Sequence, residues 1–156
     1  MYNHAPDEYQ CPFCRIVQGG EGGGPTGSQQ DDVVYRDDEV TAFVASHWWP
    51  NNPGHVLVVP SEHYENIFDL PPELGSAIQR IARRLALAFK AIYGCDGVST
   101  RQHNELAGNQ DVWHYHLHVF PRYTDDLLYL RGKRPTTPDE RRPYAVKLRQ
   151  FLSEED

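Results

Sequence analysis

Three histidines, at positions 114, 116 and 118, alternate with apolar residues in Trp113-His114-Tyr115-His116-Leu117-His118-Val119-Phe120. The two-residue period of a strand sets all three imidazoles on one face, with Trp113, Tyr115, Leu117 and Val119 packed behind them. Neighbouring histidines on such a face start roughly 6.6 Å apart and the outer two roughly 13 Å apart, whereas a zinc–nitrogen bond is only about 2.0 Å. Adjacent rings can meet at one atom and three in a row cannot, so the histidines divide into at least two jobs. Burying three imidazoles side by side costs desolvation and mutual repulsion that Thr or Val would avoid, which argues for chemistry over packing. With an ordinary pKa of about 6.5, an imidazole is largely neutral at pH 7 and can serve as nucleophile or metal ligand.

Cys11 and Cys14 have metal-ligand spacing, but Cys-x-x-Cys supplies only half of a tetrahedral site. The same spacing serves thiol–disulfide exchange, where it sits between a buried strand and a helix. Residues 1–10 are polar and form no such strand. Cys95 reads as a small buried residue. Three cysteines make no disulfide framework and fit a reducing compartment, so a cytoplasmic location is expected.

The elements that must carry these groups follow from pattern. Cys11 to Val17 suits a short helix, and residues 32–46 read as a hairpin, with Val33, Val34 and Tyr35 separated from Val40 to Val44 by Arg36, Asp37, Asp38 and Glu39. His55 to Pro60 is a β-branched run behind the turn cluster Asn51-Asn52-Pro53-Gly54, with a histidine at its mouth. A long helix follows, capped by Asp69, with Pro71 or Pro72 in its first turn. Its apolar stripe is Leu74, Ile78, Ile81, Leu85, Phe89 and Ile92, and Gly94 ends it. Residues 97–102 and 113–122 are strands. A short C-terminal helix starts near Thr137 and Pro138, although Pro143 would remove one internal bond from it. The order is hairpin-like with no β-α-β alternation, which gives an α+β fold with about five antiparallel strands.

The 156 residues make one domain, with residues 1–10 expected to be a flexible N-terminus, residues 19–30 a Gly-rich flexible loop and residues 124–156 a C-terminal extension. A net charge of −7 disfavours nucleic acid and anionic membranes as partners. No export signal is expected, and the run Val56 to Val59 is far too short to span a bilayer. The basic residues of the long helix, and the cluster Arg131, Lys133 and Arg134, read as solvated charge.

His114-Tyr115-His116-Leu117-His118-Val119-Phe120 resembles the motif of the histidine-triad (HIT) family. The likeness extends to Cys11-Pro12-Phe13-Cys14, to Asn52 through Pro60, to His63-Tyr64-Glu65-Asn66, and to Asn104 through Gln110. It implies a homodimer and a nucleotide substrate whose α-phosphate bond is hydrolysed or transferred through a nucleotidyl-histidine intermediate. By position, His116 resembles the nucleophile, its other ring nitrogen held by a backbone carbonyl. His118 and His55 match positions touching the phosphate or leaving group, and Asn104 and Gln110 match the phosphate pocket. Trp48 and Trp49 are candidates for base stacking. The chain departs from the family in two places. An acidic ribose contact is missing between Phe43 and His55, and Asp111 replaces a small hydroxyl residue beside the phosphate, where a carboxylate repels unless paired or turned away.

For the cysteine pair, His63 and His114 are the candidate partners, and the set Cys11, Cys14, His63 and His114 resembles the structural zinc site of bacterial HIT proteins. Two other functions stay open at this point: a nucleotide-binding module without catalysis, and a metalloenzyme with an open metal position on His116 and His118.

Overall fold

Five antiparallel strands form the main sheet of the protein in a computed structural model, which describes residues 2–24 and 27–154. They are β1 (Val33–Arg36), β2 (Val40–Val44), β4 (Val56–Pro60), β5 (Gly97–Gln102) and β6 (Leu117–Arg122), in the order β1-β2-β4-β6-β5. The hairpin turn between β1 and β2 closes on Asp37, whose carboxylate accepts from the backbone N–H groups of Glu39 and Val40 at 2.9 and 2.7 Å.

β2 and β4 are buried at every residue because both sheet faces are covered. On one face Val40, Ala42, Val44, Val56, Val58, Leu117 and Val119 join the main core with two long helices, α2 (Pro72–Ala88) and α3 (Pro138–Glu154). On the other, Phe43, Leu57 and Val59 meet Cys11, Phe13 and Ile16 around the short helix α1 (Pro12–Val17). The chemistry lies on this second, more thinly covered face.

α2 buries Ala77, Ile78, Ile81, Leu85 and Ala88, the expected stripe filled in with alanines. Its cap differs from expectation. Pro71 occupies the cap position with no side-chain hydrogen bond, and Asp69 lies two residues too early. Two prolines set the entry by fixing φ and by needing no N–H donor in the first turn. The helix widens into a π-type turn over Phe89–Tyr93 and stops at Gly94, which takes the left-handed conformation (φ 62°) open to glycine.

The C-terminal helix is as long as α2, not short. Thr137 and Glu140 cap it reciprocally, the Thr137 N–H donating to Glu140 Oε2 (2.8 Å) and the Glu140 N–H to Thr137 Oγ1 (3.3 Å). Arg141, Ala145, Leu148 and Leu152 form a buried stripe that outweighs the one bond lost at Pro143. Arg141 is fully buried. Its guanidinium donates to Asp32 Oδ1 (2.8 Å), the Thr136 carbonyl (2.8 Å) and the Gly27 carbonyl (2.9 Å), so α3 is tied to the start of β1.

A second, two-stranded sheet pairs β3 (His47–Trp48) with β7 (Arg134–Pro135), neither of which the hydrophobic pattern predicts. The Thr136 N–H extends the pairing by donating to the Ser46 carbonyl at 2.9 Å. This pairing draws residues 131–134 against the loop that follows β2. Among the described residues no helix is long and apolar enough to cross a membrane.

Candidate active site

β6 begins at Leu117, four residues later than the sequence pattern places it. His114, Tyr115 and His116 lie in irregular chain held by single bonds, the His114 N–H to the Val112 carbonyl (2.9 Å) and the Tyr115 N–H to the Tyr64 carbonyl (2.6 Å). The alternation nevertheless survives: Tyr115, Leu117 and Val119 enter the main core, while Phe13 on the opposite face stands edge-on to the rings of His114 and His116. Trp113 does not pack behind the histidines. The chain bends at residues 112–114 and its ring lies against His4, with centroids 5.7 Å apart.

His116 Nδ1 is 2.7 Å from the carbonyl oxygen of His114. A carbonyl can only accept, so Nδ1 carries the proton and the lone pair of the neutral ring sits on Nε2. His116, His118 and His55 line one cavity of about 250 Å³ with Phe13, Ala45, Ser46, His47, Trp49, Leu57, Asp111, Val112 and Lys133. The ring centroids of His116 and His118 are 5.1 Å apart. His118 Nδ1 is 3.5 Å from His55 Nε2, and the His55 ring stacks on Phe120 with Trp49 at its edge. Burial pushes His55 down to about 3 and His118 well below the usual imidazole range, so both are neutral at pH 7. His55 Nδ1 has no hydrogen-bond partner among the described residues, an unusual state for a buried ring nitrogen and one that suits a ligand contact.

Asp111 faces this cavity. Its Oδ1 is 3.5 Å from His116 Nε2 and its Oδ2 is 2.6 Å from Lys133 Nζ. The contact with His116, attractive only while Nε2 of that ring also carries a proton, and the ion pair with Lys133 hold its carboxyl well below the usual carboxylate range. Arg131, Lys133 and Arg134 are exposed, as expected of solvated charge, but the β3–β7 pairing also makes Lys133 a wall of the cavity, while Arg134 pairs with Glu140 at 2.8 Å. No signal in the sequence links residue 133 to residue 111.

Gln110 and Asn104 are engaged inside the chain. Gln110 Nε2 donates to the Glu65 and Val112 carbonyls at 2.5 and 3.1 Å, and its Oε1 accepts from the Glu105 N–H at 2.9 Å. Asn104 Oδ1 accepts from the Ile67 N–H (2.8 Å), and its Nδ2 donates to Gln102 Oε1 (2.7 Å). Neither residue lines the cavity. Both brace the loop that presents Asp111, in which Gly108 is obligatory because any Cβ there would collide with the Asn104 carbonyl. Trp48 is likewise displaced from the expected stacking role. It is 4 % exposed in the main core with its ring edge-on to Tyr144, while His47 before it in β3 and Trp49 just past the strand both line the cavity.

Cys11, Cys14, His63 and His114 converge on one point, with ligand atoms all within 4.8 Å of one another. His114 Nδ1 is 3.3 Å from Cys11 Sγ and 3.5 Å from Cys14 Sγ, and His63 Nδ1 is 3.2 Å from Cys14 Sγ. A tetrahedral ion with bonds of about 2.0–2.3 Å puts its ligands roughly 3.3–3.8 Å apart, close to these spacings. The second nitrogen of His114 donates to the Pro60 carbonyl at 3.0 Å, which turns the Nδ1 lone pair toward the sulfurs. Burial and the neighbouring Cys11 push the Cys14 thiol up to about 12. All three cysteines are free of disulfides, and His116 and His118 are not in the cluster.

Residues 26–125 match the family model of the HIT domain. The chain belongs to the HIT family. An uncharacterized HIT-like protein of Saccharolobus solfataricus is 30% identical over 134 residues, covering 86% of this chain and 89% of that one. The crystal structure of a Zn-bound histidine triad family protein from Mycobacterium smegmatis superposes with a TM-score of 0.74 at 30% identity, covering 94% of this chain and 96% of the other. An adenylylsulfatase of Arabidopsis thaliana is 26% identical over 119 residues, 76% of this HIT protein and 55% of the plant one.

Proposed function

We propose that this HIT protein hydrolyses or transfers nucleotidyl groups, cleaving at the α-phosphorus of nucleoside phosphoramidates or dinucleoside polyphosphates through a covalent nucleotidyl-histidine. The observation that carries this reading is the 2.7 Å contact between His116 Nδ1 and the His114 carbonyl, on a ring that lines a cavity of about 250 Å³. That bond leaves the Nε2 lone pair as the nucleophile.

In the first step a bond forms between Nε2 and phosphorus, and the bond from phosphorus to the leaving group breaks. Its electron pair departs with the leaving group, which takes a proton from water. The ring keeps its Nδ1–H, and the positive charge it gains is stabilised by the His114 carbonyl. In the second step water adds to phosphorus, the N–P bond breaks with its pair returning to Nε2, and the proton of the water passes to solvent with release of a nucleoside monophosphate. His118 and His55, neutral and paired at 3.5 Å, hold one N–H in that contact, which leaves one outward N–H between the two rings for phosphate or leaving-group oxygens. Trp49, not Trp48, is the wall available for base stacking. The adenylylsulfatase of Arabidopsis thaliana supports a nucleotide substrate.

Cys11, Cys14, His63 and His114 would hold a structural zinc ion with every coordination position filled, crosslinking α1 to the segment that presents His116. The donor set, its spacing and the Zn-bound relative support this. A homodimer in the cytoplasm belongs to the same reading, supported by family membership and by the three free thiols.

Asp111, 3.5 Å from His116 Nε2, favours a second reading, a nucleotide-binding module without turnover. The test is His116→Ala with a fluorogenic adenosine phosphoramidate. Turnover is expected to vanish with the circular dichroism spectrum unchanged, and undiminished turnover overturns the assignment. Nucleotide binding by the parent with no turnover of any substrate supports the second reading.

A further inference from the structure

The antiparallel register of β5 and β6 sets Arg101 directly opposite His118. Paired residues in this arrangement leave the same sheet face with Cβ atoms about 5 Å apart. The Arg101 guanidinium lies over the rings of Trp49 (4.8 Å) and Phe120 (5.1 Å), which fix its plane. Its Nε is buried and has no hydrogen-bond partner among the described residues, a costly state for an ionic donor unless a ligand fills it. A second cavity of about 240 Å³ opens here, lined by Arg101 and His103 and sharing Trp49, Asp111, His118 and Lys133 with the first. Lys133 brings a second cation, while Asp111, the carboxylate on the shared wall, is engaged by Lys133 and His116.

We propose that this second cavity is an anion subsite for the leaving group, selecting nucleotides whose α-phosphate carries a further phosphate, polyphosphate or sulfate. The assignment deepens the reading of His116 as the attacking residue and rests on it for direction. A nucleotide whose α-phosphate lies at His116 extends past His118, the wall common to both cavities, toward Arg101. A guanidinium presents paired N–H donors that match oxyanions. Negative charge grows on the leaving oxygen as its bond to phosphorus breaks, so a cation fixed beyond His118 favours an anionic leaving group. An amine gains nothing from it.

The test separates binding from chemistry. Isothermal titration compares a nucleoside monophosphate with the α,β-methylene triphosphate of the same nucleoside, on the parent protein and on Arg101→Met, which keeps an unbranched apolar side chain and removes the charge over Trp49. The parent is expected to prefer the triphosphate analogue. The substitution is expected to cut that preference by roughly tenfold or more, the scale of a hydrogen bond to a charged group, and Arg101→Lys to restore part of it. If circular dichroism shows that the Met variant is misfolded, Arg101→Gln supplies the same ratio. A preference unchanged by these substitutions overturns the subsite, as does a parent that binds both ligands equally or binds neither. A parent that turns over no substrate yet shows the Arg101-dependent preference keeps the subsite and overturns the catalytic reading instead.

Discussion

Asp111 Oδ1 stands 3.5 Å from His116 Nε2, so the nitrogen proposed to attack phosphorus faces a carboxylate in the free protein. Lys133, 2.6 Å from the other carboxylate oxygen, offsets part of this charge but leaves an anion where phosphate oxygens must arrive. Asp111 is half-exposed, so it can swing aside when a nucleotide enters.

Asp111→Asn is therefore expected to tighten nucleoside monophosphate binding by about three- to tenfold, since a unit charge a few ångströms away in a partly solvated site acts with about 1 kcal/mol. The gain should shrink as ionic strength rises. Calorimetry at low and high salt checks both. Weaker binding by the variant would mean that the carboxylate assists the ligand.

Cys11→Ser is expected to lower bound zinc and thermal stability together. Each kcal/mol lost from a chain of this size lowers Tm by roughly 2–4 °C, and loss of the ion should cost several times that. The effect should reach the active site through Phe13, which lies between the two cysteines in sequence and packs edge-on against His114 at 5.9 Å and His116 at 5.3 Å. Metal analysis beside a thermal melt is the measurement, and equal zinc content in variant and parent removes Cys11 from the ligand set.

Asp126 makes acid stability testable. Its carboxylate accepts from Arg122 Nε (2.7 Å) and Nη2 (2.9 Å), the Tyr123 N–H (3.0 Å) and Asn52 Nδ2 (2.7 Å). Arg122 holds its carboxyl well below the usual carboxylate range, helped by the Tyr123 N–H and Asn52. A carboxyl depressed on folding contributes stability that is complete above its unfolded pKa of about 3.9 and fades as pH falls toward the folded value. Urea midpoints of the parent should exceed those of Asp126→Asn at pH 7, with the gap closing progressively below about pH 4. A gap that stays constant down to pH 2 would show that the charge of Asp126 contributes nothing.

How much of the site was legible in sequence depended on whether a residue's role was set locally. The carbonyl that sets the tautomer of His116 belongs to His114, two residues back in the irregular segment before β6, and the strand face follows from period-two alternation, so both rest on a few consecutive residues. Trp48 and Trp49 show the limit. Adjacent residues on a strand point to opposite faces, but nothing in the dipeptide says which face is core until Trp48 meets Tyr144 on α3. Gln110 and Asn104 were recognisable as site residues by resemblance, yet their amide groups brace the loop from inside and do not line the cavity.

Alternating histidines and the order of apolar runs by themselves determined the α+β antiparallel fold, because each is a pattern with a short repeat that backbone geometry reads directly, while the family and the quartet Cys11, Cys14, His63 and His114 came from the resemblance of motifs. Tertiary structure alone decided that Lys133 comes to Asp111, that Arg101 stands opposite His118, and that a full-length α3 forms despite Pro143. Those outcomes rest on strand register, on the β3–β7 pairing and on burial of a helix stripe. Each is a contact between distant segments whose free energy exists only once the chain has closed on itself.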